Sequence, residues 1–121
     1  MEFILTEDQK IDVISEFKVS EDTYLCLGIN ICHMPEEDSN KLEALCKHCD
    51  NILEREYGFI IKLLEEDAEK VTSQNFEYFS TTWEFPDRVV EILSVAYDAG
   101  YRMVEFDVDA KYYKRLEDFD W

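Results

Sequence analysis

The sequence predicts an α+β fold, a ferredoxin-like split βαβ sandwich of order βαββαβ with an extra element at its N-terminus. Three observations support it: two stretches with helical periodicity, an apolar stretch ahead of the first of them, and a final stretch in which apolar and acidic residues alternate. In that architecture both helices cover one face of an antiparallel sheet and the other face is open. We expect the 121 residues to form a single α+β domain, 1–121, around one core.

The N-terminal element has the pattern of a capped helix. Residues 6–9 match a capping box, and apolar residues then recur at helical spacing, which predicts an amphipathic helix over residues 7–18. A strand is the alternative, because Val13, Phe17 and Val19 also fit a period of two. The next stretch, residues 24–31, is apolar and contains β-branched and aromatic side chains, which predicts a buried strand.

Two further helices are predicted from apolar stripes. The first begins after Pro35 and extends for about five turns, to residues 57–58. Its apolar positions recur at three- and four-residue steps and are Leu42, Leu45, Cys46, Cys49, Ile52 and Leu53. The second begins at Pro86 and ends near Gly100, a residue type that favours the left-handed conformation at a helix end. Between them we expect a strand over residues 59–64, an acidic loop over 65–73 and a strand over 76–83.

The last strand predicts a surface as well as an element. Apolar residues at 104, 106 and 108 alternate with Glu105, Asp107 and Asp109, so that one face is apolar and the other acidic. The three carboxylates would lie about 6.7 Å apart on the open face and imitate a row of phosphates. The acidic residues that we expect to bind a partner are Glu105, Asp107, Asp109, Glu65, Glu66, Asp67, Asp118 and Asp120.

The charge of the chain limits the classes of partner. Twenty-nine residues are Asp or Glu and 12 are Lys or Arg, for a formal net charge of −17. This field repels nucleic acid and anionic membranes, and it attracts basic protein surfaces, including those that bind phosphates. Hydrophobic residues make up 46% of the chain, enough for a core that disordered acidic chains lack. Without an apolar run of about 18 residues to span a membrane, the protein is expected in the cytoplasm.

Several cysteine and histidine residues are candidate ligands for a metal ion. They are Cys32, His33, Cys46, His48 and Cys49. Zinc takes such ligands at short spacings, but usually from a turn, whereas Cys46 and Cys49 belong to an apolar helix stripe. We interpret the cysteines as small buried hydrophobic residues and predict no metal and no cofactor, with metal binding left as an alternative.

The pair Asp107 and Asp109 resembles the aspartates with which some phosphatases hold Mg²⁺. That chemistry also needs a lysine and the hydroxyl of a Ser or Thr nearby. Lys111 is present, but the position two residues further on does not carry a Ser or Thr. His33 would join Asp107 in a site only if the first and last strands ran in parallel, because both residues would then lie at one edge of the sheet. In the ferredoxin-like order these two strands run antiparallel.

Four stretches carry a resemblance to a known family. They are Cys32-His33-Met34-Pro35-Glu36-Glu37-Asp38-Ser39, Tyr57-Gly58-Phe59-Ile60, Phe106-Asp107-Val108-Asp109 and Leu116-Glu117-Asp118-Phe119-Asp120-Trp121. Together they resemble a family of small uncharacterised proteins carried on conjugative and other mobile elements of gut bacteria. The resemblance covers about the last hundred residues. It implies a setting, mobile DNA under attack by host defences, and no particular chemistry.

These observations predict a non-enzymatic acidic protein that binds the basic, nucleic-acid-handling surface of another protein, and neither nucleic acid nor membrane directly. We expect it to mimic nucleic acid and to inhibit a host defence or DNA-processing protein, as anti-CRISPR and anti-restriction proteins do. One alternative is a small metal-dependent hydrolase that uses Asp107 and Asp109. Another is an accessory interaction protein of a mobile element, which docks through exposed aromatic residues of the tail: Tyr112, Tyr113, Phe119 and Trp121.

Overall fold

The computed structural model describes residues 4–49, 51–63 and 84–121. Within these ranges the helices are α1 (Glu7–Lys18), α2 (Glu36–Leu45) and α3 (Asp87–Asp98), and the strands are β1 (Cys26–Asn30), β2 (Ile52–Arg55), β3 (Gly58–Lys62) and β4 (Met103–Asp107). The predicted loop 65–73, with Glu65, Glu66 and Asp67, and the predicted strand 76–83 lie outside the described residues. Among the helices that are described, none has the length and apolar character needed to cross a membrane.

The strands form one mixed sheet in the order β1-β4-β3-β2. β4 pairs in parallel with β1, which aligns Asn30 with Asp107, and antiparallel with β3, which aligns Phe106 with Phe59. β2 and β3 form an antiparallel hairpin. The α+β class is confirmed by these elements. The sheet differs from the ferredoxin-like expectation, because its first and last strands run in parallel and not antiparallel.

The prediction of a long helix that reaches residues 57–58 is wrong. α2 ends at Leu45, and residues 52–55 pair with β3 as a strand. The apolar pattern of this segment fits both conformations, since Ile52 is buried by the strand while Leu53, on the opposite face, is half exposed. Arg55 and Gly58 are paired across the hairpin, and the two residues between them form its turn.

Other local predictions are confirmed. In the capping box of α1, the Thr6 hydroxyl accepts the Gln9 amide at 3.2 Å and the Gln9 side chain accepts the Thr6 amide at 2.9 Å. After α3, Gly100 adopts a φ of +102°, a left-handed conformation that glycine favours. In β4 the alternation holds as far as Asp107, with Val104 and Phe106 fully buried.

One face of the sheet carries the hydrophobic core. Ile29, Phe106 and Phe59 are buried neighbours across three strands, and α2 and α3 contribute Leu42 and Leu93 to the same cluster. The opposite face, which no described helix covers and which we call the open face, carries Glu105 and Asp107 of β4 through the strand alternation. The two faces therefore have opposite character, as the alternation in β4 predicts.

Gly58 of β3 lies directly against the backbone of β4. A Cβ atom at this position would overlap the carbonyl oxygen of Phe106. We expect Gly58→Ala to lower the free energy of unfolding by about 3 kcal/mol, measured by urea denaturation, because the two central strands must move apart. Gly28→Ala is the matched control, since its Cβ would meet only Ala110 at an ordinary 3.8 Å. Equal losses for both variants would contradict this packing.

Candidate functional site

Parallel pairing of β1 and β4 brings several acidic segments to one edge of the sheet. Both strands end there, because Asn30 is aligned with Asp107. α2 begins three residues after the 3₁₀ turn that follows β1. α3 leads into β4 through the turn at Gly100, so its first residue also lies at the edge where β4 ends. We call this surface the acidic edge and define it by Glu36, Glu37, Asp38, Asp87, Asp118 and Asp120.

The carboxylates of the acidic edge act on one another. Burial raises the pKa of Asp38, and the negative charges of Glu37 and Asp87 raise it further, although Arg88 and Lys41 partly oppose them. Two helices thus begin close enough for their acidic first turns to interact electrostatically. Each helix dipole favours a carboxylate at its start, which offsets part of this repulsion.

The C-terminal tail adds Asp118 and Asp120 to the same edge. A hydrogen bond with Cys32 raises the pKa of the Tyr112 phenol, burial raises it further, and the charges of Cys32, Asp118 and Asp120 act in the same direction. Cys32 belongs to the turn after β1, so the two aspartates lie close to the point at which β1 ends. The Asp118 side chain is 64% exposed.

His33 holds the tail in this position. Its side chain is fully buried, and its Nε2 accepts the Tyr113 amide at 2.9 Å. Nε2 therefore carries a lone pair and Nδ1 carries the proton, which it donates to the Glu117 carbonyl at 3.0 Å. The Asp118 carboxylate lies 3.1 Å from the same Nδ1. His33 is thus a structural clamp that presents Asp118 at the edge.

Other tail residues also bind back to the domain. The Tyr113 hydroxyl donates to the Gly28 carbonyl at 2.8 Å, the Phe119 amide donates to the Cys32 carbonyl at 2.8 Å, and the Trp121 indole donates to the Met34 carbonyl at 3.0 Å. Tyr112 is half exposed. These contacts favour a tail that is tied to the core over a free aromatic docking segment.

The acidic row predicted along β4 is not formed as expected. Glu105 makes an ion pair with Arg55 of the neighbouring hairpin on the open face. The Asp107 carboxylate accepts the Asp109 amide at 2.8 Å, and Asp109 lies beyond the end of the strand, in a turn. Of the predicted binding residues, the structure therefore brings Asp118 and Asp120 to the acidic edge. It places Glu105 and Asp107 on the open face and gives Glu105 a basic partner.

The hydrolase alternative finds no assembled site in the described residues. His33 and Asp107 do follow parallel strands, but His33 lies on the helix-covered side with both ring nitrogens bound, while Asp107 is on the open side. No three His, Cys, Asp or Glu side chains in the described ranges are close enough to hold a metal ion. Cys49 is buried in the apolar core, and Cys46 follows the last residue of α2.

Sequence reasoning missed four members of the acidic edge: Glu36, Glu37, Asp38 and Asp87. Their signal was present, since two predicted helices begin with acidic residues. The sequence does not show that the two helices begin side by side. That follows from the strand order, because parallel pairing of β1 and β4 places both helix starts at one edge.

The chain belongs to a family of unknown function. The model of the DUF5983 family, described as the C-terminal domain of a family of unknown function, matches residues 26–121. The match includes the four described strands, α2, α3 and the tail, and it begins after α1. No curated protein and no solved structure matches the chain significantly.

Replacing His33 should release the tail. We expect His33→Phe to lower the free energy of unfolding by about 2–4 kcal/mol, because the Tyr113 amide and the Glu117 carbonyl lose their partner inside the protein. Urea denaturation measures the loss, and hydrogen exchange should show faster exchange at the Tyr113 amide. His48→Phe is the control at an exposed position. Unchanged exchange at Tyr113 would contradict the clamp.

The reactivity of Cys26 reports the charge balance of the open face. Burial raises the pKa of this thiol and the Glu105 carboxylate raises it further, so less of the reactive thiolate is present at mildly alkaline pH. We expect Glu105→Gln to speed alkylation of Cys26 by iodoacetamide and Arg55→Gln to slow it, as measured by peptide mass spectrometry. Equal rates in both variants would show that the ion pair does not set the local potential.

Proposed function

We propose that this protein is a non-enzymatic, acidic binding protein of the cytoplasm that occupies the basic, nucleic-acid-handling surface of another protein. In this proposal it acts as a decoy for nucleic acid and inhibits a host defence or DNA-processing protein, in the manner of anti-CRISPR or anti-restriction proteins. Its genetic setting would be a mobile element. The partner is defined by its chemistry, a groove or patch of Lys and Arg that ordinarily binds phosphates.

The observation that carries the proposal is the gathering of carboxylates at the acidic edge. Like charges destabilise one another, and the charges of Glu37 and Asp87 add to the effect of burial, which is the largest cause of the raised pKa of Asp38. A basic partner would relieve it, since Lys and Arg would replace the water and counterions around Glu37, Asp87 and Asp120. Binding energy would then come from carboxylates that Arg88 and Lys41 compensate only in part.

The acidic edge replaces the β4 row as the main binding surface in this proposal. Glu105 is already paired with Arg55, so a partner must compete with an internal ion pair to reach it. Asp118 and Asp120, in contrast, are exposed and lie on a tail that His33 holds in place. A fixed tail loses little conformational entropy when a partner binds, which favours affinity.

Charge neutralisation at the edge tests the proposal. We expect the triple variant Glu37→Gln, Asp87→Asn and Asp120→Asn to bind its partner at least about tenfold more weakly and to show a smaller salt dependence. The matched control, Asp8→Asn, Asp12→Asn and Glu16→Gln, removes the same number of charges from α1 and should change affinity by less than about threefold.

The partner is obtained by capture on the immobilised protein from a bacterial lysate at low salt, and each captured protein is then purified. Fluorescence anisotropy with a labelled DNA duplex measures whether the protein and DNA exclude each other from that partner. Mutual exclusion, weakened by the edge variant and not by the α1 control, supports the decoy. Partners that bind DNA and the protein together, or complexes that are insensitive to salt, would overturn it.

A further inference from the structure

Two cysteines lie in the turn that ends α2. Cys46 directly follows Leu45, the last residue of this helix, and has φ −55° and ψ −25°, which are angles of a 3₁₀ turn. The Cys46 amide donates to the Leu42 carbonyl at 3.0 Å, and the Cys49 amide donates to the Leu45 carbonyl at 3.0 Å. The chain therefore stays wound as a helical turn through Cys49.

This winding sets the separation of the two cysteines. Residues three positions apart in a helix have Cα atoms about 5 Å apart, and a tighter 3₁₀ turn brings their side chains into line. The His48 amide donates to the Leu45 carbonyl at 2.9 Å, a bond of the 3₁₀ type. A disulfide needs Cα atoms about 4.4–6.8 Å apart. Cys46 and Cys49 therefore meet this requirement without unwinding of the turn.

The two thiols differ in their access to solvent. Cys46 is partly exposed, whereas Cys49 is 3% exposed and belongs to the hydrophobic core. An oxidant in solution would therefore react with Cys46 first. A mixed disulfide on Cys46 would then be one helical turn from the Cys49 thiol.

The surroundings of Cys46 favour slow oxidation. Burial is the largest cause that raises the pKa of this thiol, and the negative charges of Glu54, Cys49 and Glu43 raise it further, although a backbone hydrogen bond partly opposes them. The thiolate is the reactive form, so a raised pKa slows the reaction. Disulfide oxidoreductases instead lower the pKa of their attacking thiol. The pair therefore suits a reversible oxidation site better than a catalyst of thiol exchange.

We propose that Cys46 and Cys49 form a reversible disulfide in reaction with a low-molecular-weight disulfide such as oxidised glutathione. The Cys46 thiolate attacks one sulfur of the oxidant, releases one thiol and remains in a mixed disulfide. The Cys49 thiol then gives its proton to water and attacks the Cys46 sulfur, which releases the second thiol. Two cysteine thiols are thus oxidised while one oxidant disulfide is reduced to two thiols. The site lies at the end of α2 opposite the acidic edge, and the inference does not rest on the proposed function.

Oxidation of the native protein tests the proposal. The reduced protein is incubated with an excess of oxidised glutathione at mildly alkaline pH, the exchange is stopped with acid, and the products are measured by mass spectrometry. We expect the intact mass to fall by two hydrogen atoms. Trypsin cleaves after Lys47, between the two cysteines, so the disulfide should join the peptides 42–47 and 48–55. Near-ultraviolet circular dichroism should show that the oxidised protein keeps its fold.

Cysteine variants separate the two roles. Cys49→Ala should retain glutathione on Cys46, because no second thiol is there to release it, and Cys46→Ser should give no linked peptides and leave Cys49 unmodified. The matched control is the double variant Cys26→Ser and Cys32→Ser, which removes two other thiols and should be oxidised like the wild type.

The charge near Cys46 gives an independent rate measurement. In the Cys49→Ala background, Glu54→Gln should speed the addition of glutathione to Cys46 by about twofold or more, because it removes a charge that raises the pKa of the thiol. Glu56→Gln is the control, since it removes an equal charge from the turn of the same hairpin. Equal rates in the two variants would contradict the slow-thiol interpretation.

The wild-type reaction decides the proposal even where a variant fails to fold. Linked peptides 42–47 and 48–55 in a folded protein support it. A wild type that stays reduced, a stable glutathione adduct on Cys46 that Cys49 does not release, a disulfide to Cys26 or Cys32, or an oxidised form that has lost its fold would overturn it.

Discussion

The parallel pairing of β1 with β4 is the constraint on which the rest of the structure depends. It places β4 inside the sheet, makes β1 the outermost strand on that side, and brings the C-terminal ends of both strands together. The chain that leaves β4 then crosses the outer side of β1, where the Asn30 amide donates to the Lys111 carbonyl at 3.0 Å. Asn30 also donates through its side chain to the Val108 and Ala110 carbonyls, so the crossing is fixed by one buried residue.

This arrangement also places the acidic edge and the hydrophobic core on different parts of the molecule. The acidic edge collects two helix starts and the tail, and their carboxylates are stabilised by helix dipoles while they repel one another. An apolar groove lined by Leu27, Ile29 and Ile92 lies on the helix-covered side of the sheet, above β1. Because the family match begins at Cys26, the acidic edge and the groove belong to the family domain, whereas α1 precedes it.

Local signals in the sequence predict much of the secondary structure and less of the site. The capping box at Thr6, the glycine after α3 and the alternation in β4 depend on neighbouring residues; the first two predictions are confirmed, and the alternation holds as far as Asp107. The helix predicted through Ile52 fails because an apolar stripe fits a helix and a hairpin strand equally, and only pairing with β3 decides between them. Strand direction has no local signal, so neither the parallel pair nor the acidic edge followed from the sequence. The role of His33 depends on the tail, eighty or more residues later in the chain.

The central claim is that the acidic edge attracts basic groups more strongly than the rest of the acidic surface does. A titration of the isotope-labelled protein with a lysine-rich peptide, followed by two-dimensional NMR, tests it most directly. The amides of residues 36–38, 87–88 and 117–121 should shift first and most, and added salt should remove the effect. Shifts of equal size along α1, the open face of the sheet and the acidic edge would contradict the account.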